Sequence, residues 1–142
     1  MIGQPLKQNT MMKMRTGSVL TLLAAALLWG CTKEAGDGGK AEITGTVLRQ
    51  DVNAGGSPLG APYPFQEARV YIVYGDHATY DDDIRTGPDG KYSFRWLRKG
   101  DYTLYTYSEC NCPGKTEALS AKVTVGDNKD VVTVPVFTAL NY

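Results

Sequence analysis

Two cysteines, Cys110 and Cys112, stand one residue apart in front of Pro113-Gly114 and carry the most reactive chemistry in the chain. Outside the cytoplasm such a pair tends to oxidise. The ring would be tight, because ordinary disulfides hold their Cα atoms roughly 5.5 Å apart. An internal disulfide is the first expectation, with pairing between two molecules left open. A thiol redox centre is an alternative, although such motifs are usually C-x-x-C with a lowered thiol pKa. A metal site is another alternative. Two thiolates are too few ligands for it, and structural sites usually put about two to four residues between cysteines. His77 is the sole histidine.

Asp76, Asp81, Asp82 and Asp83 offer oxygen ligands of the kind calcium takes. They lack the alternate spacing and the glycine of a calcium loop. A solvated acidic edge that discourages strand-to-strand association is the plainer reading. Arg95, Trp96 and Arg98 could form an aromatic and basic patch for a sugar or peptide. Trp96 covering the end of the core is the preferred reading of the two. Tyr63 and Phe65 sit in a proline-rich loop, where packing over a sheet edge is preferred to an exposed contact surface. Nothing in the chain pairs a nucleophile with a base in a recognisable motif, so no catalytic residue and no cofactor is expected.

The chain has 142 residues and zero formal net charge. That suits one domain and shows no basic footprint for nucleic acid. All fifteen acidic residues follow Cys31, while Lys7, Lys13 and Arg15 precede it. Val19 to Trp29 is apolar apart from Thr21. A basic lead and a short apolar run read as a signal peptide, residues 1–30, too short for an ordinary spanning helix. Leu28-Trp29-Gly30-Cys31 resembles the lipobox of bacterial lipoproteins. The resemblance implies that Cys31 is acylated, palmitate-type chains included, and becomes the first residue of a membrane-anchored chain. Lys33-Glu34 partly resembles the Lys-acidic export signal of surface lipoproteins. The expected location is the bacterial outer membrane or cell surface, with a periplasm-facing placement left open. Residues 31–40, with three glycines and alternating charges, read as a flexible tether.

From residue 41 to 138 the pattern is that of short strands. Tyr92 and Phe94 alternate with Ser93 and Arg95, which puts both aromatics on one face. Asp89-Gly90 and Lys99-Gly100-Asp101 are turns. Tyr102 and Leu104 alternate with Thr103 and Tyr105. Ala41–Gln50, Ala68–Tyr74 and Ala118–Val125 are further strands, and Thr79–Arg85 is a weak one because its aspartates are poor strand formers. Val131–Phe137 is the last, with Val132, Val134 and Val136 toward the core. Pro135 lacks a ladder donor and places this strand at an edge. Residues 139–142 are a tail. About seven strands without a helix predict an all-β, seven-stranded Greek-key sandwich.

Gly45 and Val47, then Ala68, Val70 and Ile72, then Thr86, Gly90, Tyr92 and Phe94, and finally Leu97, Gly100, Tyr102 and Leu104 resemble a known pattern. It is that of the carboxypeptidase regulatory-like and prealbumin-like (transthyretin-like) β-sandwich domains, related to collagen-adhesin B-type domains. The resemblance covers roughly Glu42 to Phe137 and implies a mostly non-catalytic spacer, accessory or binding role. Some adhesin domains form an internal Lys–Asn bond beside a buried acid. Thr106 stands at that acid's position here, Glu109 is displaced from it, and Lys40 and Asn141 lie outside the strands, so this bond is not expected. The leading expectation is a non-enzymatic, envelope-anchored accessory or binding module with an envelope protein or glycan as partner. The alternatives are a carbohydrate-binding or adhesive component of a surface complex, and a redox or metal protein using Cys110 and Cys112.

Overall fold

The computed structural model describes Gly3 and residues 34–142. The expected leader of residues 1–30, apart from Gly3, and the expected lipidation residue Cys31 lie outside the described residues. Lys33–Tyr142 is one compact unit, and it holds every residue of the buried core, from Ala41 to Ala139.

Among the described residues there are nine strands rather than seven. They are β1 (Asp37–Asp51), β2 (Tyr63–Pro64), β3 (Arg69–Tyr74), β4 (Asp82–Arg85), β5 (Lys91–Leu97), β6 (Gly100–Glu109), β7 (Thr116–Val125), β8 (Val131–Thr133) and β9 (Phe137–Asn141). Two sheets face each other in an all-β sandwich. One is built around β1, which pairs antiparallel with β2 and β5 and parallel with β8 and β9. The other has the order β4-β3-β6-β7.

The alternation of the sequence decides what lies between the sheets. Ile43 and Val47 on β1, Val70 and Ile72 on β3, Tyr92 and Phe94 on β5, and Tyr102 and Leu104 on β6 are all buried in one core. Gly45 sits opposite Tyr92 in the ladder. Any side chain there would overlap the Tyr92 ring and hydroxyl, so the glycine marks a close approach. The turn before β5 closes with Gly87 N–H donating to the Lys91 carbonyl at 2.9 Å. Gly90, at φ 73°, supplies its left-handed residue.

Three boundaries differ from the sequence reading. Strand β1 begins at Asp37 instead of Ala41, so part of the segment expected as a tether is paired with β5. The expected tail belongs to β9, where Ala139 is buried and Leu140 pairs with Gln50. The expected last strand is split in two. Val134 N–H still bonds to the Thr44 carbonyl at 2.8 Å, but Pro135 has no N–H to continue the ladder. Beyond it the facing resets: Phe137 is buried and Val136, expected toward the core, is 56% exposed.

Strand β5 ends in a bulge. Ile43 pairs with Phe94 and Ala41 with Leu97, so Arg95 and Trp96 together oppose the single residue Glu42. Trp96 has φ 63°. That left-handed backbone costs a bulky residue on the order of 1–2 kcal/mol. The extra residue lets Leu97, rather than Trp96, enter the core, where Leu97 is fully buried.

Candidate functional site

The outer face of the four-stranded sheet carries the most concentrated aromatic surface of the described residues. It follows from the pleat. With Val70 and Ile72 inward, Tyr71 and Val73 of β3 must point outward. With Tyr102, Leu104, Thr106 and Ser108 inward, Thr103, Tyr105 and Tyr107 of β6 must do the same. The register then places Tyr71 directly beside Tyr105, Asp83 beside Tyr71, and Ser120 beside Tyr105 with Ala118 beside Tyr107.

The rings form one connected group. Tyr71 and Tyr105 stack with centroids 4.9 Å apart and planes 13° from parallel. Tyr80, from the loop between β3 and β4, meets Tyr71 edge-on at 4.9 Å. Tyr107 meets Tyr105 edge-on at 5.8 Å and Tyr71 at 5.9 Å. Tyr107 is 51% exposed and Tyr80 48%, while Tyr71 and Tyr105 are half-buried. On the β7 side the small residues Ala118 and Ser120 leave Tyr105 uncovered. Together with Val73, Thr79 and Tyr80 they bound a shallow hollow of about 460 Å³. Beside the rings, Arg69 Nε reaches Asp83 Oδ2 at 3.3 Å.

Burial raises the Tyr105 hydroxyl above its ordinary pKa, and the neighbouring Tyr107, Tyr71 and Tyr80 push in the same direction. Tyr105 therefore stays neutral at ordinary pH and can both donate and accept a hydrogen bond. The face offers flat apolar rings with hydroxyls and one ion pair around them. It presents no nucleophile beside a base.

A larger groove, about 720 Å³, is lined by Thr44, Thr46, Lys91, Ser93 and Thr133 of the five-stranded sheet together with Ile84 and Arg85 of β4. Its charged groups are already paired. Arg85 pairs with Glu67 at 3.4 Å, Lys91 with Asp89 at 3.6 Å and Arg95 with Glu42 at 3.4 Å. The Ser93 hydroxyl donates to Glu42. Exposed pairs of this kind are weak, yet they leave the groove without a concentrated charge, over a lining that includes Ile84 and Tyr92.

The residues singled out in the sequence are scattered. Cys110 and Cys112 form a disulfide with Cα atoms 5.2 Å apart. It sits in the β6–β7 turn, where Cys110 N–H donates to the Lys115 carbonyl and Lys115 N–H to the Cys112 carbonyl. Asp81 accepts from the Tyr74 N–H at 2.7 Å and contacts His77 at 2.7 Å. Burial works against the Asp81 carboxylate, but those two partners hold its pKa below the ordinary value. Asp82 caps the Asp83 N–H at 2.8 Å, and Asp83 is paired with Arg69. Asp76 lines a hollow with His77, Glu34 and Asp101. Among the described residues no group of three metal-ligating side chains converges.

Phe65 packs against the core with the Arg49 guanidinium 4.8 Å above its ring. Tyr63 is exposed and donates to Asp51 at 3.1 Å. Arg95, Trp96 and Arg98 gather at one end of the sandwich, but Trp96 is 68% exposed and does not cover the core as preferred from the sequence. Thr106 is buried and donates to the Arg69 carbonyl. Asn141 pairs with Asp51, eleven residues along β1 from Lys40. That is roughly 36 Å of strand, so no Lys40–Asn141 bond can form.

The tyrosine face itself was not picked out from the sequence. Its signal was present in the outward parity of Tyr71, Tyr105 and Tyr107 and in nine tyrosines in a small chain.

No family model matches the chain, and no curated protein matches it. Among solved structures, the crystal structure of a candidate carbohydrate-binding protein from Pseudomonas aeruginosa is similar over 73% of this chain and 91% of that chain. The two are 16% identical and superpose with a TM-score of 0.49. A likeness at that level decides neither family nor ligand.

Proposed function

We propose that this protein is a non-enzymatic, lipid-anchored binding module of the bacterial envelope whose ligand is a glycan held on the tyrosine face. The observation that carries the reading is the connected group of Tyr71, Tyr80, Tyr105 and Tyr107, open to solvent on one face of a rigid sheet. A sugar ring has one face of C–H groups and a rim of hydroxyls. Tyrosine rings match the first, and tyrosine hydroxyls with Arg69, Asp83 and Ser120 match the second. Exposed aromatic surface gathered in one patch marks a contact site, and tyrosine serves it with an apolar body and a polar tip. The prealbumin-like Greek-key assignment and the acylation of Cys31 belong to the same reading.

Titration calorimetry against a panel of soluble oligosaccharides tests the ligand class. A binding isotherm that Tyr71→Ala and Tyr105→Ala each weaken by about ten-fold or more is expected; binding unaffected by both variants overturns the tyrosine face. Membrane fractionation of Cys31→Ala tests the anchor. Release into the soluble fraction is expected, and retention on membranes would mean that something other than Cys31 holds the protein.

A further inference from the structure

The end of the sandwich opposite the β6–β7 disulfide turn has a composition of its own. The β5 bulge throws Trp96 outward beside Arg95, and the turn that follows carries Arg98 and Lys99. Lys40 of β1 lines the same small hollow as Arg95 and Trp96. Glu42 is the acid among them, and it is engaged by Arg95 and Ser93. On the other flank of Glu42, Val131 is 66% exposed. Glu34, Asp76 and Asp101 line a separate hollow at this end, away from Lys40, Arg95 and Trp96, and acids nearby accept from internal donors. Asp37 accepts from the Tyr74 hydroxyl, Asp101 from Thr124, and Asp130 from the N–H groups of Gly126 and Asp127.

This is also the end at which the chain enters the domain. The Gly36 carbonyl accepts from the Arg98 N–H at 2.8 Å, and Ala35 packs against Gly100 and the core. Cys31 is four residues before Ala35, a span of at most about 14 Å even when fully extended. With Cys31 acylated, this end cannot stand far from the bilayer. Indole rings favour the headgroup level of a membrane, where one side is apolar and the other wet. Lysine and arginine near the surface are drawn to anionic lipid.

We infer that the Trp96 end, with Lys40, Arg95, Arg98 and Lys99, docks on the anionic headgroup surface of the membrane that bears the anchor. Trp96 enters the interface, and the tyrosine face stands clear at the side of the domain. The inference rests on the lipid-anchor reading for its geometry, but its contact with lipid is testable without the anchor. Lys33–Tyr142 contains the whole core. Of the two tryptophans, Trp29 and Trp96, that piece holds Trp96 alone, so its emission reports on that side chain.

The test is tryptophan emission of Lys33–Tyr142 titrated with vesicles of mixed phosphatidylglycerol and phosphatidylcholine, and with phosphatidylcholine alone. A blue shift and protection from a soluble quencher are expected with the anionic vesicles, weakened by salt because the charge contribution is screened. Trp96→Gly, which suits the left-handed backbone, and the pair Lys40→Glu with Lys99→Glu should each weaken partitioning about ten-fold with no fall in the melting transition. No shift with anionic vesicles at millimolar lipid overturns the proposal, whatever Cys31→Ala does in fractionation. A shift of Trp96 emission by soluble oligosaccharides and not by vesicles overturns it as well, and would make this end a sugar site. Partitioning that persists when Cys31→Ala shows no anchor would separate the two readings and leave the lipid contact standing.

Discussion

The two outer faces of the sandwich are produced by the same strand alternation and end chemically opposite. On the five-stranded sheet, outward positions of β1 and β5 are Thr44, Thr46, Lys91 and Ser93, and the charged groups nearby close on one another. On the four-stranded sheet they are Tyr71, Tyr105 and Tyr107, whose rings close on one another but leave a broad apolar surface in solvent. A polar face satisfies itself with short-range pairs and needs no partner. An aromatic face cannot be satisfied by water in the same way. The proposed binding surface rests on this contrast and not on groove size, since the larger groove lies where the charged side chains of β5 and β4 are paired.

The heaviest blow to both faces at once is a cavity in the core they share. Phe94→Ala should cost about 3–5 kcal/mol, seen as a large fall in the chemical-denaturation midpoint. An unchanged midpoint would mean that Phe94 does not hold the sheets together.

A smaller effect separates the faces. Tyr105→Ala should lower oligosaccharide affinity about ten-fold or more, which corresponds to roughly 1.4 kcal/mol. Thr133→Ala on the opposite face should leave affinity where it was. Equal losses in calorimetry for the two variants would erase the distinction.

Alkaline pH probes the tyrosines of both sheets. Burial raises the hydroxyl pKa of Tyr92 and Tyr74, in the second case with a hydrogen bond to Asp37 adding to it. Burial also raises Tyr105. An unfolded tyrosine loses its proton near pH 10, while these folded ones keep theirs. Their contribution is thus fully present below about pH 10 and is lost as the pH climbs toward the folded values. Denaturation midpoints should fall above about pH 10. Tyr92→Phe should soften that fall without lowering stability at neutral pH, because the Tyr92 hydroxyl is buried with no partner. A steeper alkaline loss in Tyr92→Phe would contradict the assignment.

The smallest effect belongs to the disulfide. Cys110 and Cys112 enclose one residue, so the chain-closure gain is small. The double variant Cys110→Ser, Cys112→Ser should fold with a midpoint shift under about 1 kcal/mol. Amide exchange should quicken only in the β6–β7 turn. Exchange spreading through β3 would tie the turn to the tyrosine face.

What the sequence determined by itself is everything that depends on neighbours along the chain. The inward set of Val70, Ile72, Tyr92, Phe94, Tyr102 and Leu104 follows from a pleat of period two, and all six are buried. The turn at Asp89-Gly90 is equally local, whereas the pairing of Cys110 with Cys112, left open by the sequence, is given by the structure. The tertiary structure decided what depends on lateral neighbours. Tyr71 and Tyr105 lie on strands thirty-odd residues apart, and their outward parity says nothing about whether β3 and β6 are adjacent. The ladder alone makes them stack. Trp96 shares parity with Tyr92 and Phe94 and should have pointed inward. One extra residue opposite Glu42 gave that place to Leu97 and sent Trp96 into solvent. Residues 37–40, rich in glycine and charge, became strand because β5 was there to receive their hydrogen bonds. Alternation is a property of one strand, whereas partnership, register and bulges are properties of two, and the second strand lies far away in sequence.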